Sequence, residues 1–320
     1  MENLYEIPTS ELSMTFRMLV KILQERGWPK ATIIRGDKSF LELTRPDGKT
    51  MRMHYLTSPD VSYFSGLIAT DKLAAYHLLK KVGAKQPETW ILPKDESEQE
   101  KLIEKMLAKH EKIVIKPIDG AHGNGVFTGI TSLEEARKAI ITNREASKII
   151  VQEQIFADEP EVRVICIDYK FVAAYARIPA HVTGDGVHTV LELVDIENKT
   201  KRTPAYQSNL SYIKKDVAEE YIKKNNLVNY VPSEGEKIQV VGICNTGNGG
   251  TMEDVSEKFP LELRILSEKI AKEFGLSVIG IDFFGENIIE VNSAPALYHP
   301  VDGPSSTLCI EKYVDMISKI

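Results

Sequence analysis

The chain has few of the residues that cross-link, ligate or anchor a protein. Its three cysteines, Cys166, Cys244 and Cys309, are far apart and form no CxxC pair. This spacing argues against a disulfide framework or a zinc ribbon and fits a reducing compartment. No apolar run reaches the roughly 18 residues of a membrane span, and no basic region followed by an apolar stretch opens the chain. We therefore expect a cytoplasmic protein without a membrane partner.

An excess of basic charge is also missing. The 46 acidic and 40 basic side chains give a net charge of −6, and no basic stripe is present, so nucleic acid is not an expected partner. Hydrophobic residues make up 42% of the chain, which excludes disorder as the main state. The length of 320 residues predicts about two domains. Predicted strands and helices mix without strict alternation, which favours an α+β fold with mostly antiparallel sheets.

The motif with the clearest chemistry is a predicted hairpin near the end of the chain. Two strands flank residues 285–287, which we interpret as a three-residue turn. That turn places Asp282 opposite Glu290, with Asn292 on the same face as Glu290. Facing carboxylates repel unless a cation lies between them, so a magnesium site is one interpretation and an exposed polar strand face is the other. The opposite, buried face is predicted to hold Ile281, Phe283, Ile289 and Val291.

A glycine-rich segment, residues 120–125, follows a predicted strand that ends near Lys116. Glycines let backbone N–H groups approach phosphate oxygens, and a lysine at a strand end adds a point charge. The segment is neither a P-loop nor a dinucleotide fingerprint. A phosphate-binding loop and an ordinary tight turn both fit this pattern.

Other features carry less weight one by one. Gln152, Glu153, Gln154 and Ile155 form a strand end whose backbone could pair with an adenine edge, and Glu161 could accept hydrogen bonds from a ribose. Lys72, Arg163 and Arg177 are isolated cations that fit either a phosphate clamp or a carboxylate partner. The loop at residues 245–251 could donate amides to a reacting acyl group or could be a plain surface loop.

Taken in order, these motifs resemble the ATP-grasp superfamily, and most of all the ATP-grasp part of cyanophycin synthetase and of bifunctional glutathione synthetases. The resemblance covers about residues 67–304 and is carried by several segments in a fixed order. These are Ile68 to Lys72, Ile115 to Val126, Glu161 to Val164, Ala176 to Thr189, Asn245 to Asp254, Ile281-Asp282 and Ile289 to Asn292.

The resemblance implies a role for each matching residue. The implied ATP contacts are Lys72, Lys116, Gly120, Gly123, Gly125, Gln152, Glu153, Gln154, Ile155 and Glu161. The implied ligands of Mg²⁺, or of Mn²⁺ in its place, are Asp282, Glu290 and Asn292. The implied catalytic residues, which face the acyl centre or the transferred phosphoryl group, are Arg163, Arg177, Asn248, Gly249 and Gly250.

It also implies an ATP-grasp fold in which residues 1–84 form an N-terminal segment, 85–155 a small lid subdomain and 156–320 a larger metal-binding subdomain. The expected activity is ADP-forming ligation of a carboxylate to an amine, on an amino acid or peptide, through an acyl phosphate. The alternatives are an enzyme that forms amides or esters on a ribosomal peptide, an ATP-grasp kinase and a non-catalytic nucleotide-binding module. A homo-oligomer is compatible with the resemblance.

Two departures from the family pattern bear on the substrate. Ala296 stands where the family has glycine, which affects contacts next to the metal ligands. The chain also has no counterpart of the second ATP site of cyanophycin synthetase and only about 66 residues before the match. We therefore do not expect it to polymerise two amino acids alternately.

Overall fold

A computed structural model describes residues 2–34, 39–57, 59–118, 125–156, 160–201, 212–242, 249–299, 301 and 305–320. Within these residues the strands are β1 Glu2–Asn3, β2 Lys30–Ile33, β3 Phe40–Thr44, β4 Thr50–His54, β5 Thr89–Ile91, β6 Ile113–Pro117, β7 Phe127–Ile130, β8 Ile149–Glu153, β9 Glu161–Ile167, β10 Lys170–Ile178, β11 His181–Thr183, β12 Lys237–Gln239, β13 Thr251–Asp254, β14 Val278–Phe284 and β15 Asn287–Asn292. The α-helices are α1 Met14–Glu25, α2 Tyr63–Thr70, α3 Lys72–Lys81, α4 Glu96–Lys109, α5 Leu133–Thr142, α6 Val190–Lys201, α7 Lys215–Lys224, α8 Leu261–Phe274 and α9 Ser305–Ile317. Among these helices, none is long and apolar enough to cross a bilayer.

The strands pair antiparallel in every register that the structure describes, as the mixed α+β pattern predicts. The chain packs as two compact units. The first consists of Met1–Ala174 and Val255–Ile320, and the second is Tyr175–Asp254. The predicted three-part division at 84/85 and 155/156 places its boundaries elsewhere and stays a prediction.

In the first unit, a small four-stranded sheet has the order β5-β8-β6-β7. Side chains alternate between its faces with the period of two that a strand imposes. Ile113, Ile115 and Val151 lie on the face that packs against α4 and α5, together with Ile103 and Met106. The other face carries the polar residues that matter for the site, because Lys116 pairs with Ile150 and Val114 with Gln152.

The first unit also contains a sheet in which β9 and β14 are neighbours and β15 closes the edge beside β14. Its core includes Ile281, Phe283 and Val291, packed against the buried face of α8. The turn at Asp168 and Tyr169, predicted from the sequence, has φ of 54° and 59° at these residues, which is the left-handed pair of a tight hairpin turn. Helix α8 begins after Pro260 and ends at Gly275, as its sequence signals predict.

The second unit has its own hydrophobic core, which combines β11 with α6 and α7. Strand β10 continues into this unit, where Tyr175 to Ile178 pair with β13. The apolar run after Lys237 predicts a strand over residues 239–243, but β12 covers Lys237–Gln239, where it pairs with β11, and residue 243 is outside the described residues.

The helical pattern over residues 71–82 predicts Thr70 as its N-cap, and here the structure differs. Asp71 caps α3 instead, and its Oδ1 accepts from the backbone N–H groups of Leu73 and Ala74 at 2.9 Å each. A carboxylate satisfies two of the helix's unpaired donors, which a threonine hydroxyl at position 70 is not placed to do. Thr70 ends the preceding helix α2, which the sequence analysis did not identify.

Candidate active site

The predicted hairpin near the end of the chain is present as β14 and β15. Asp282 is opposite Glu290, and Asn292 is opposite Gly280, as the predicted pairing requires. The turn itself is shorter than predicted, with Phe284 paired to Asn287 around Gly285 and Glu286. Gly285 has φ of 58°, a conformation that glycine adopts without steric cost. The correct carboxylate pairing is kept because a bulge compensates for the shorter turn.

That bulge changes one residue of the buried face. The register shifts between Asp282 and Phe283, so that Phe283 pairs with Ile288 and Ile289 becomes the extra residue. Ile288 is therefore in the core at 2% exposure, whereas Ile289 is only half-buried, and both residues border a cleft. The prediction that Ile289 lies on the buried face is wrong for this reason.

Asp282 already has a cationic partner on the neighbouring strand. Arg163 on β9 is directly opposite it, and Arg163 Nε and Nη2 each donate to one carboxylate oxygen at 2.6 Å. The pair is buried, with side-chain exposures of 13% for Arg163 and 1% for Asp282. A two-point fork of this kind is among the stronger polar contacts in proteins. The repulsion expected between Asp282 and Glu290 is thus relieved by an arginine of the chain itself.

Two lysines approach the same carboxylates from other elements. Lys72, the first residue of α3, places its Nζ 3.8 Å from Glu290 Oε1 and donates to the carbonyl oxygen of Ile118 at 3.3 Å. Lys116, near the end of β6, is 9% exposed. Burial, reinforced by the Lys72 ammonium, lowers the pKa of Lys116 to about 8, and Glu290 and Glu161 act in the opposite direction. Two crowded ammonium groups are an arrangement suited to a polyanion.

These residues border a cleft in the first unit that holds about 400 Å³ of space, part of it open to solvent. The cleft is lined by Ala69, Lys72, Ala75, Tyr76, Leu79, Gln86, Thr89, Lys116, Ile150, Gln152, Ile288, Ile289, Glu290 and Val291. Thr89 and Gln86 were not among the predicted site residues. Thr89 joins the cleft through its pairing with Gln152, and Gln86 Nε2 donates to the carbonyl oxygen of Tyr76.

The predicted adenine segment is held firmly by the small sheet. Glu153 N and Gln154 N donate to the carbonyl oxygens of Glu88 and Lys112 at 2.9 and 3.1 Å, so these two backbone donors are engaged. The side chain of Gln154 accepts from Gly129 N on β7. The Glu153 carboxylate accepts from Glu88 N and lies 3.5 Å from His110 Nδ1.

Two more predicted contacts can be located in the first unit. Gly125 has φ of 72°, and its carbonyl oxygen accepts from Asn143 Nδ2 at 2.8 Å. A Cβ at this position would be 2.3 Å from Asn143 Oδ1, so only glycine fits. Glu161 begins β9 and is half-buried, close enough to act on the pKa of Lys116. The first unit therefore brings together Lys72, Lys116, Glu161, Arg163, Asp282 and Glu290.

The remaining predicted residues are elsewhere. Arg177 is in the second unit, where it pairs with Met252 across β10 and β13. Gly249 and Gly250 are in the same unit, and Gly249 has φ of 90° with its hypothetical Cβ 2.6 Å from Ile213 Cα. Gly120, Gly123 and Asn248 are outside the described residues.

The donors around Glu290 fit a hard cation such as Mg²⁺. They are oxygens, which this ion prefers. The Nδ2 atom of Asn292 is buried without a hydrogen-bond partner, and a half-turn of the amide would put its oxygen in the same place. In the described part of the chain, no group of three or more His, Cys, Asp or Glu side chains could hold a metal. A magnesium site made of the Asp282 and Glu290 carboxylates and the Asn292 amide contains only two such side chains, so it does not require a group of three.

Residues 69–189 match the RimK-like ATP-grasp domain. Cyanophycin synthetase of Crocosphaera subtropica is 34% identical over 57% of this chain and 23% of its own length. The glutathione biosynthesis bifunctional protein GshAB of Clostridium perfringens is 33% identical over 76% of this chain and 32% of its own length. The crystal structure of a bifunctional glutathione synthetase from Pasteurella multocida superposes on 98% of this chain and 44% of its own, with 22% identity and a TM-score of 0.64. The chain thus spans about a quarter to a third of the length of these two curated relatives.

Proposed function

We propose that this chain, whose residues 69–189 match the RimK-like ATP-grasp domain, is an ATP-dependent, ADP-forming carboxylate–amine ligase. The observation that carries the proposal is the cleft of the first unit, where Lys72 and Lys116 stand beside Glu290 on the hairpin of Asp282. Cations for phosphates and oxygen ligands for a metal are the two requirements of phosphoryl transfer, which depends mainly on positioning and charge neutralisation.

The chemistry proceeds in two steps. An oxygen of the substrate carboxylate attacks the γ-phosphorus, the bond between that phosphorus and the β–γ bridging oxygen breaks, and ADP leaves. The amine nitrogen then attacks the acyl carbon of the acyl phosphate, inorganic phosphate leaves with the bonding electrons, and the amine gives up a proton. No side chain of the protein forms a covalent bond in this scheme.

The residues of the first unit have separate tasks in this scheme. Lys72 and Lys116 bind the phosphate oxygens as point charges. Glu290 and Asn292, with Asp282, would hold Mg²⁺, which supplies Lewis-acid stabilisation of the phosphates when bound. Arg177 and the residues near Gly249 belong to the second unit, and their assignment to the acyl centre stays a prediction. A cytoplasmic location, where ATP is available, is part of the proposal.

The substrate class is an amino acid or a peptide. The similarity to cyanophycin synthetase and to a glutathione biosynthesis bifunctional protein supports this choice. The test is release of ADP and phosphate with Mg-ATP across amino acids and dipeptides, singly and in pairs. With ¹⁸O in the substrate carboxylate, we expect one label in the released phosphate, because the acyl phosphate transfers that oxygen.

Other outcomes separate the alternatives. ADP formation with a phosphorylated hydroxyl compound and no free phosphate would identify a kinase. If no ADP is released with small substrates while ATP still binds, peptides become the substrates to test. Absence of nucleotide binding would overturn the proposal.

Lys116 predicts a pH dependence of ATP binding. Only its protonated form attracts phosphate, and its pKa in the free protein is lowered to about 8. The affinity for ATP should therefore fall as the pH rises through about 8, although the nucleotide's phosphates stay ionised. Isothermal titration calorimetry between pH 7 and 9.5 measures this fall. Lys116→Arg, whose side chain stays charged throughout, should bind with a flatter profile, and equal slopes in both proteins would contradict the assignment.

A further inference from the structure

In the second unit, the backbone of Ile213 is held by the side chain of one residue of α6. Ile213 N donates to Asn198 Oδ1 at 2.8 Å, and Asn198 Nδ2 donates to the carbonyl oxygen of Ile213 at 2.9 Å. Ile213 is 2% exposed and belongs to the core of this unit. The Asn198 amide therefore satisfies both backbone groups of Ile213 and ties them to α6 at two points.

These two hydrogen bonds also fix which way round the Asn198 amide sits. A backbone N–H group can only donate and a carbonyl oxygen can only accept, so the side-chain oxygen must face Ile213 N and the NH₂ group must face Ile213 O. An ionised carboxylate of the same shape has no proton for Ile213 O and leaves a buried acceptor unpaired. A protonated carboxyl group again offers one donor and one acceptor.

The Ile213 backbone is also packed against Gly249. Gly249 is buried and has φ of 90°, and a Cβ on it would be 2.6 Å from Ile213 Cα and 2.7 Å from Ile213 N. No side chain fits between the two backbones. Gly250 follows, and β13 begins at Thr251 and pairs with β10. The end of this loop is thus held by strand pairing after Gly250 and by the Ile213 backbone at Gly249.

We propose that Asn198 is a positioning residue that keeps Gly249 and Gly250 in the conformation that the acyl step requires. Its two bonds are to Ile213, so it acts on the glycines through that backbone. The proposal rests on the proposed function, because the acyl step assigned to these glycines is part of it. Backbone N–H groups stabilise a developing charge only when they are already in place, and a displacement of about 1 Å can cost about a hundredfold in rate.

The first test is Asn198→Asp in the full chain at about pH 8, where the introduced carboxyl group is ionised. Hydrogen exchange followed by mass spectrometry should be about tenfold faster at residues 249–252, and unchanged in the small sheet of the first unit. Asn198→Ser, which removes the amide without adding a charge, should show the same effect and replaces Asn198→Asp if that variant does not fold.

Kinetics show whether the loop conformation matters for the reaction. The kcat for ADP release, with the amino acids or dipeptides that give the highest release from the wild type, should fall about ten- to hundredfold in Asn198→Asp. The dissociation constant of Mg-ATP should stay close to that of the wild type, because the lysines and carboxylates of the first unit are unchanged.

Rescue by pH separates positioning from a general loss of structure. As the pH is lowered towards about 5, the introduced carboxyl group takes up a proton, since burial beside a carbonyl oxygen favours its neutral form. It can then donate to Ile213 O, so the kcat of Asn198→Asp relative to the wild type should rise towards one. The Asp195–Lys215 pair, which also joins α6 to α7, is present in both proteins and cancels in this ratio.

A double variant locates the path of the effect. Gly249→Ala should also lower kcat, because its methyl group would collide with Ile213. If Asn198 acts through Gly249, adding Asn198→Asp to Gly249→Ala should lower kcat by less than it does in the wild type. Effects that multiply in full would overturn the proposal, because Asn198 would then act elsewhere.

Two variants of the second unit are the controls, and circular dichroism and urea unfolding establish that each protein is folded. Asn225→Asp makes the same substitution at an exposed amide, whose Nδ2 donates to the carbonyl oxygen of Tyr221. Ile222→Val weakens the same core without changing a polar group. Both should keep the wild-type kcat. A folded Asn198→Asp with wild-type kcat or wild-type exchange would overturn the proposal and leave the ligase standing, whereas a wild type that binds ATP but forms no amide would overturn both.

Discussion

Glu290→Ala should abolish ATP turnover, a loss of about 10³-fold or more, while the fold is retained. Glu290 lies beside Lys72 in the cleft and its side chain is 38% exposed, and the buried Arg163–Asp282 pair of the same sheet is untouched by its removal. It does remove an anionic oxygen ligand at the point where the triphosphate and its metal would meet. Steady-state ADP release measures the loss, and Mn²⁺ binding followed by electron paramagnetic resonance reports the ligand role without turnover.

A matched control is present on the same hairpin. Glu286 is in the turn, 63% exposed, and its carboxylate pairs with Lys85. Glu286→Ala should leave turnover and Mn²⁺ affinity within about twofold of wild type, because a surface ion pair contributes little. If Glu290→Ala kept its turnover, the metal assignment on this hairpin would be wrong.

The second large effect concerns stability. Arg163→Met should lower the free energy of unfolding by about 3–5 kcal/mol, because it removes the guanidinium that neutralises the buried Asp282 carboxylate. Adding Asp282→Asn to Arg163→Met should recover most of that loss, since the charge is then gone from both positions. Urea unfolding of the wild type, the two single variants and the double variant completes a thermodynamic cycle.

The control for this cycle is Arg137 with Glu100. Their Nη2 to Oε1 distance is 2.6 Å, the same as in the Arg163–Asp282 pair, but the two side chains are 57% and 44% exposed. Arg137→Met should cost less than about 1 kcal/mol. Equal effects in the two pairs would show that burial is not what makes the Arg163–Asp282 pair important.

Features that are local in the sequence could be predicted. The facing of Asp282 and Glu290 follows from a short hairpin, and the limits of α8 follow from Pro260 and Gly275. Even there, one bulge exchanged Ile288 for Ile289 on the buried face, because a single extra residue reverses the alternation.

Features that depend on distant pairing could not be predicted. The sequence leaves a phosphate clamp and a carboxylate partner open for Arg163, and the resemblance assigns it to the acyl phosphate or the transferred phosphoryl group. Its fork on Asp282 becomes visible only when β9 lies beside β14. Thr89 belongs to no sequence motif, and it is recognised as a cleft residue only because its strand pairs with β8, where Gln152 is opposite it. A sequence shows which residue types are present, but long-range register decides which of them meet.

The core beneath the small sheet and the core beneath β14 differ in how much chain they need. The core beneath the small sheet is formed by residues 92–151 alone. The core beneath β14 joins Val164 to Ile281, which are roughly a hundred residues apart, so a long loop must close before it gains any contact. The small sheet can therefore collapse early and can open and reclose as a cooperative unit while the hairpin of Asp282 stays paired. In an amide hydrogen-exchange experiment, the backbone amides of Lys116 and Gln152 should then exchange together, and the backbone amide of Glu290 should exchange on a separate timescale.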